Sequence, residues 1–187
     1  QEHSAFRFRE IMDEKKILHV NLSKGRLGDI NANLIGLILV GKILMAALSR
    51  VDSFSGNGGS TLPPFYLYID EFQNITTNSI ATILSEARKY NLALTIAHQF
   101  IAQLDTDISN AVFGNVGSLA AFRVGPDDAT FLEKQFAPVF TPQDLMNIDN
   151  RNAHLRILTD GKPMTPFNIQ TLSPRVGDMG QVEMLRQ

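Results

Sequence analysis

No cysteine occurs anywhere in this chain, which excludes a disulfide framework, Cys-based metal sites and a thiol nucleophile. Excess positive charge is missing too: 17 Lys and Arg stand against 19 Asp and Glu, a formal net charge of −2. Without a global basic field, contact with nucleic acid has to be local, or created by assembly of several copies. The four histidines, His3, His19, His98 and His154, show no metal-ligand spacing. There are no internal repeats, and no signal peptide opens the chain. It starts with Gln rather than Met and is expected to be a piece of something longer. Apolar residues are plentiful, at 44% of 187, which suits one soluble globular domain with a substantial core.

The chain is organised around Phe65-Tyr66-Leu67-Tyr68-Ile69-Asp70-Glu71-Phe72-Gln73-Asn74. Aromatic and β-branched residues fill a covered pleated surface, so the run predicts a strand buried in a sheet. It ends in two adjacent carboxylates, at the end of the strand where open α/β sheets bind ligands. Four apolar residues followed by Asp-Glu is the Walker B pattern of P-loop NTPases. In that pattern the Asp holds Mg²⁺, usually through water, and the Glu polarises the water that attacks the γ-phosphate. The competing reading is a strand that merely ends in a solvated acidic turn.

Around this stretch, strands and helices alternate. Lys16 to Leu22 reads as a first strand, followed by a glycine-punctuated turn, Ser23 to Gly28, with Asp29 placed to cap the next helix. That helix, about Ile30 to Arg50, is apolar almost all round between Leu34 and Leu48. The apolar run is shorter than an ordinary membrane span and carries Lys42, so it predicts a helix buried between layers. Asp52 to Pro64 reads as a flexible connector, and a helix is expected from about Asn78 to Tyr90. Leu92 to Ala97 predicts a second buried strand, ending in His98-Gln99. A helical stretch from Ile101 to Phe113 leads to a third strand, Ser118 to Val124. Pro126 suits the first turn of a helix running through Phe136, and Thr141-Pro142 opens another. Leu155 to Thr159 and Phe167 to Thr171 read as a terminal hairpin around Asp160-Gly161-Lys162-Pro163. This order favours a largely parallel α/β sheet with helices on both faces.

A phosphate-binding loop is missing. Gly36, Gly41 and Lys42 match the spacing G-x-x-x-x-G-K, but Leu37, Ile38, Leu39 and Val40 lie between them and Ile43 replaces the Mg²⁺-ligating Ser or Thr. A phosphate cradle needs a loop with backbone N–H groups turned inward. This match falls inside a helix, and no other segment resembles a P-loop.

Four features occur in a familiar order: the Walker B stretch, Ala87-Arg88-Lys89-Tyr90, Ala97-His98-Gln99 and Phe122-Arg123-Val124. Together they resemble the HerA/FtsK-like branch of RecA-fold ATPases. The closest likeness is to TraG/TraD-type coupling proteins of type IV secretion and conjugation, in the part called the TraM-recognition region. Asn21-Leu22-Ser23-Lys24-Gly25 and the buried helix fit that group as well, so the resemblance covers roughly Lys16 to Thr171. It implies a RecA-like P-loop NTPase fold, with 1–172 the C-terminal part of the ATPase domain and 173–187 a flexible tail.

The resemblance also implies ATP and Mg²⁺ as cofactors and a ring-shaped, usually hexameric homo-oligomer. Its partners would be DNA and the secretion-channel or relaxosome proteins. The setting would be cytoplasmic, with the parent polypeptide anchored at the inner face of a bacterial membrane. Carried onto matching positions, Asp70 is the Mg²⁺-associated carboxylate and Glu71 the base that orients water. Gln99 is then the polar sensor beside the γ-phosphate and Arg123 the arginine finger. The P-loop strand and its Lys, expected upstream, are the departure from the pattern. Other readings stay open: Gln99 as an ordinary strand-terminal residue, Arg123 in a structural ion pair, His98 as a neighbour bonding the turn, and Arg88 and Lys89 as a solvated helix face. At the level of function, the alternatives are a partner-docking module without catalysis and another secretion motor ATPase of pilus-assembly or VirB type.

Overall fold

Phe65–Ile69 (β1) and Leu92–Ile96 (β2) pair in parallel, with Phe65 beside Leu92 and Ile69 beside Ile96. The register places Phe65, Leu67 and Ile69 on the same face as Leu92, Leu94 and Ile96, and that face packs on the core. Tyr66, Tyr68, Ala93 and Thr95 occupy the other face and are exposed. These two strands were expected to be covered on both sides. Here the apolar-aromatic runs alternate inside and outside, and only one face is covered.

A computed structural model of the chain describes residues 6–53, 62–75, 80 and 84–173. They cluster into two compact units, Gln1–Val116 and Gly117–Gln187. The first unit holds α1 (Phe8–Asp13), a short α2 (Lys24–Leu27), the long α3 (Asp29–Leu48), β1, β2 and α4 (Thr106–Asn115). Val40, Ile43, Leu44 and Ala47 of α3 join Ile69, Phe72, Leu92, Ile108 and Val112 in its core. The helix expected from about 78 to 90 lies partly outside the described residues. Within it Ile80 and 84–86 are helical, and Ala87–Tyr90 forms a 3₁₀ turn. Most of the expected connector, 54–61, and the tail from 174 onward also lie outside the described residues.

Several expectations for this unit are corrected. Lys16 to Leu22 is not a strand, and Ile17 is 97% exposed. Its alternating pattern supplies one half of a pairing, but a strand needs a partner ladder as well as a pattern. Asp29 does not cap α3. It is the first helical residue, Gly28 is the N-cap at φ 77°, and Asp29 lies 3.8 Å from Lys24 Nζ. Nor is α3 buried all round. Ile30, Leu34, Ile38 and Met45 form an exposed row along one side. By length and composition Asp29–Val51 is long and apolar enough to cross a membrane, more than the run Leu34 to Leu48 implied. Its opposite side is nevertheless built into the core. Gly36 and Gly41 do sit within this helix, as expected of a false P-loop. A Cβ on Gly36 would come within 2.5 Å of Ile75 Cγ2, so this glycine serves close packing and not phosphate.

The second unit is antiparallel, which limits the expected parallel sheet to β1 and β2. Leu119–Ala121 (β3), Asn152–Arg156 (β4) and Phe167–Gln170 (β7) form a sheet in the order β3-β4-β7. The expected pairing of the segments around Leu155 and Phe167 is made by β4 and β7, with Leu155 beside Phe167. Lys162–Pro163 (β6), expected in the turn, instead pairs with Leu158–Thr159 (β5) in a smaller hairpin inside it. Asp160 and Gly161 at its tip both take positive φ, 51° and 75°, as a two-residue turn of this kind requires. Pro126–Phe136 (α5) and Pro142–Asn147 (α6) start where their prolines predict. Thr141 and Asp144 close a reciprocal capping box on α6, and the bonds from Thr141 hold the Asp144 carboxyl below its ordinary range. His154 is buried beside Phe140, with ring centroids 3.8 Å apart.

One charge ties the first unit together. Arg50 is fully buried, 3.0 Å from Asp13 Oδ1, and donates to the carbonyls of Pro63 (3.2 Å) and Tyr90 (3.1 Å). It thereby joins α1, the end of α3 and the chain entering both strands. Arg9 also bonds to Asp13, and its Nη1 reaches Ser49 Oγ at 3.1 Å. Removing one member of a buried pair strands the groups left behind. Arg50→Ala should therefore cost about 3–5 kcal/mol, read as a shift of the urea midpoint at unchanged slope.

Candidate functional site

The two carboxylates stand where β1 stops. Beyond the strands the parallel ladder continues through Ala97 N–H to Ile69 O (2.9 Å) and Phe72 N–H to Ala97 O (2.9 Å). These bonds bracket Asp70 and Glu71 between two fixed points and draw the exit of β2 alongside them. Phe72, fully buried, anchors the start of the 3₁₀ turn Phe72–Ile75. The chain can make this bend only by placing Glu71 in the left-handed region, at φ 50°. For a residue with a Cβ that conformation costs roughly 1–2 kcal/mol, and such residues gather at functional sites.

Three of the four expected site residues come together. Asp70 is exposed, and its Oδ1 accepts the Glu71 N–H at 2.9 Å. Glu71 is half-buried, and Gln99 donates from Nε2 to Glu71 Oε1 at 2.5 Å across the β1–β2 pair. Gln73 donates to the other oxygen, Glu71 Oε2, at 2.6 Å. Gln99 is therefore a partner of the acid and more than a strand-terminal polar residue. Sequence reasoning passed over Gln73, although it stands two positions after Glu71 in the stretch that organises the chain.

Arg123 belongs to the second unit and is described there on its own. It was expected within an apolar strand, but β3 ends at Ala121. Arg123 lies in the bend beyond, exposed, and its Nη2 donates to Asn150 Oδ1 at 2.9 Å. The strand is short because its antiparallel register with β4 runs only over Leu119, Ala120 and Ala121. A buried structural ion pair is thus not its setting.

Among the described residues no group of three or more His, Asp or Glu could by itself hold a metal. Mg²⁺ does not need one. It keeps several waters and is held by one or two carboxylates together with substrate phosphates. A single exposed Asp70 beside an amide-bound Glu71 fits that mode.

Residues 64–140 match the family described as the TraM recognition site of TraD and TraG. In fold it is similar to the bacterial conjugative coupling protein TrwBdeltaN70. An unbound monoclinic form gives a TM-score of 0.59 at 15% identity, covering 75% of this chain and 37% of that one. A trigonal form in complex with sulphate gives 0.62 at 15% identity, covering 88% and 43%. The plasmid coupling protein TrwB in complex with the non-hydrolysable GTP analogue GDPNP gives 0.56 at 16% identity, covering 78% and 37%. The chain thus spans less than half the length of these structures. No curated protein matches it by sequence.

If Phe72 anchors the bend, truncating it should loosen the site along with the core. Phe72→Ala should cost about 3–5 kcal/mol. In hydrogen exchange the amides of residues 70–75 should lose protection before those of α4 do.

Proposed function

We propose that this chain is the water-activating portion of an ATP-driven coupling ATPase of conjugative transfer or type IV secretion. The observation that carries the reading is Glu71, held over the end of β1 by Gln99 beside an exposed Asp70, inside the stretch that matches the TraD and TraG family. In this reading Asp70 holds Mg²⁺ through water. When bound, the metal neutralises charge on the phosphate oxygens. Glu71 takes a hydrogen bond from the attacking water, aligns it with the γ-phosphorus and draws off part of its proton. Gln99 senses the γ-phosphate and Arg123 reaches the nucleotide of a neighbouring subunit.

The phosphate cradle is absent from these 187 residues and would come from polypeptide outside them. The parent would assemble as a HerA/FtsK-like ring, with a hexamer the expected size, at the cytoplasmic face of the membrane. It would act on DNA and on relaxosome or channel proteins. Nucleotide binding to TrwB, as the GDPNP complex describes for that protein, supports a nucleotide as ligand. A second reading, docking of a partner without catalysis, draws on the description of the matched stretch as a TraM recognition site.

Two measurements separate these. The isolated 187-residue chain should release no phosphate from Mg-ATP above buffer. In the full-length protein Glu71→Gln should keep nucleotide affinity while turnover falls by roughly 10²–10⁴-fold. Lost affinity with unchanged turnover per bound ATP overturns the assignment, and tight partner binding with no turnover at all favours the docking reading.

Arg123 is tested by mixing. Arginine fingers contribute on the order of 10³–10⁵ in rate, and Lys lacks the planar fork, so Arg123→Lys should not restore activity to the site. Combining Glu71→Gln subunits with Arg123→Ala subunits, each inactive alone and each folded, should return partial ATPase activity. Some mixed interfaces then join an intact Glu71 to an intact Arg123. Confirmed subunit exchange without recovery ends the trans-acting reading.

A further inference from the structure

We propose that Gln73 is a positioning residue that holds the Glu71 carboxylate in place while Gln99 leaves it for the nucleotide. The inference rests on the hydrolysis reading above and deepens it.

Glu71 is gripped from two sides. Gln73 comes from the same turn as Glu71 and donates to Oε2 at 2.6 Å, and Gln99 comes from the exit of β2 and donates to Oε1 at 2.5 Å. A carboxylate bound through one oxygen can still swing about that bond, whereas bonds to both oxygens fix its plane. Each oxygen keeps a further lone pair, so a water can still be held. Both donors are neutral amides, which orient the acid without pairing its charge.

The two amides are not equivalent. Gln99 is exposed on the loop that leaves β2, whereas Gln73 is half-buried in a turn whose first residue, Phe72, is fully buried and bonded to Ala97 O at 2.9 Å. Two residues along from the acid in the same turn, and next to a Phe72 buried in the core, Gln73 keeps its distance to Glu71 when the Gln99 side chain moves. Gln99 has room to exchange one acceptor oxygen for another. A sensor that lets go of the base on meeting a phosphate would leave the base free to rotate. Gln73 prevents that. Left-handed backbone at Glu71, φ 50°, aims the side chain so that an amide two positions on can meet it.

The test uses the full-length protein with Mg-ATP and the variants Gln73→Leu and Gln73→Met, both similar in size to Gln, uncharged and without an amide donor. Gln73→Leu should lower kcat by about 10–100-fold, the scale of a misplaced reacting group, with KM and melting temperature unchanged. In a Glu71→Gln background it should have no further effect, because a residue acting through Glu71 has nothing left to position. Unchanged kcat in Gln73→Leu overturns the proposal, as does an equal further loss in the Glu71→Gln background. If Gln73→Leu melts early, Gln73→Met decides: lost kcat at the native melting temperature supports positioning, and unchanged kcat refutes it. Unfolding of both variants assigns Gln73 to structure alone. Failure of the underlying reading looks different, since wild-type protein would show no turnover, or Glu71→Gln would leave turnover intact; either result removes the role of Gln73 as well.

Discussion

The parallel pairing of β1 with β2 is the constraint on which the first unit depends, and it is pinned at both ends. At the amino ends, Arg50 collects the carbonyls of Pro63 and Tyr90, and Asn91 Nδ2 reaches Leu62 O at 3.0 Å. At the carboxyl ends, the ladder bonds through Ala97 close the sheet and the Gln99–Glu71 bond spans it. Two parallel strands alone make a weak sheet. These ties convert a marginal pairing into a rigid frame, and they do so with polar groups at the strand ends instead of further apolar area.

The ends differ in character. The Arg50 end is dry: a fully buried guanidinium paired with Asp13 and donating to backbone oxygens. A buried ion pair of this kind adds little net stability over a well-packed apolar replacement, yet breaking it is costly. Its effect is to fix which segments meet. The Glu71 end is partly wet, with Asp70 and Gln99 exposed. The proposed hydrolysis calls for the second kind of end, since water and a phosphate would have to enter it.

Much of this was legible in the sequence, and the parts that were not share a cause. β1 and β2 announce themselves as apolar runs, and α5 and α6 by a Pro at the start of each. Asp70 and Glu71 stand out because paired acids close an apolar strand. Each of these signals is local. Lys16 to Leu22 carries the same kind of local signal and is no strand, because pairing is decided by a partner that the segment does not encode. Arg123 was misplaced for a related reason: its apolar neighbours suggested strand, whereas the register with β4 ends at Ala121. Arg50 marks only the end of the expected apolar helix, its buried role being set by residues 37 positions before it and 40 after it. A hydrogen bond across the fold leaves no periodicity to find.

Glu71 shows why site and strain coincide here. An acid at the end of a strand would extend into solvent along the strand direction, and Asp70 does so. To turn the next carboxylate back over the sheet, the chain must reverse within one residue while Phe72 returns to the core. Glu71 makes that reversal in the left-handed region, at φ 50°. Gly would relax the backbone and remove the carboxylate that Gln73 and Gln99 bind. The fold meets this conflict by bonding on every side of the bend: Ala97 O receives the Phe72 N–H, Glu71 O receives the Asn74 N–H at 3.0 Å, and Asp70 Oδ1 receives the Glu71 N–H. The strained residue is thus tethered through its N–H, its carbonyl and both carboxylate oxygens, which is how an unfavourable conformation persists at a surface.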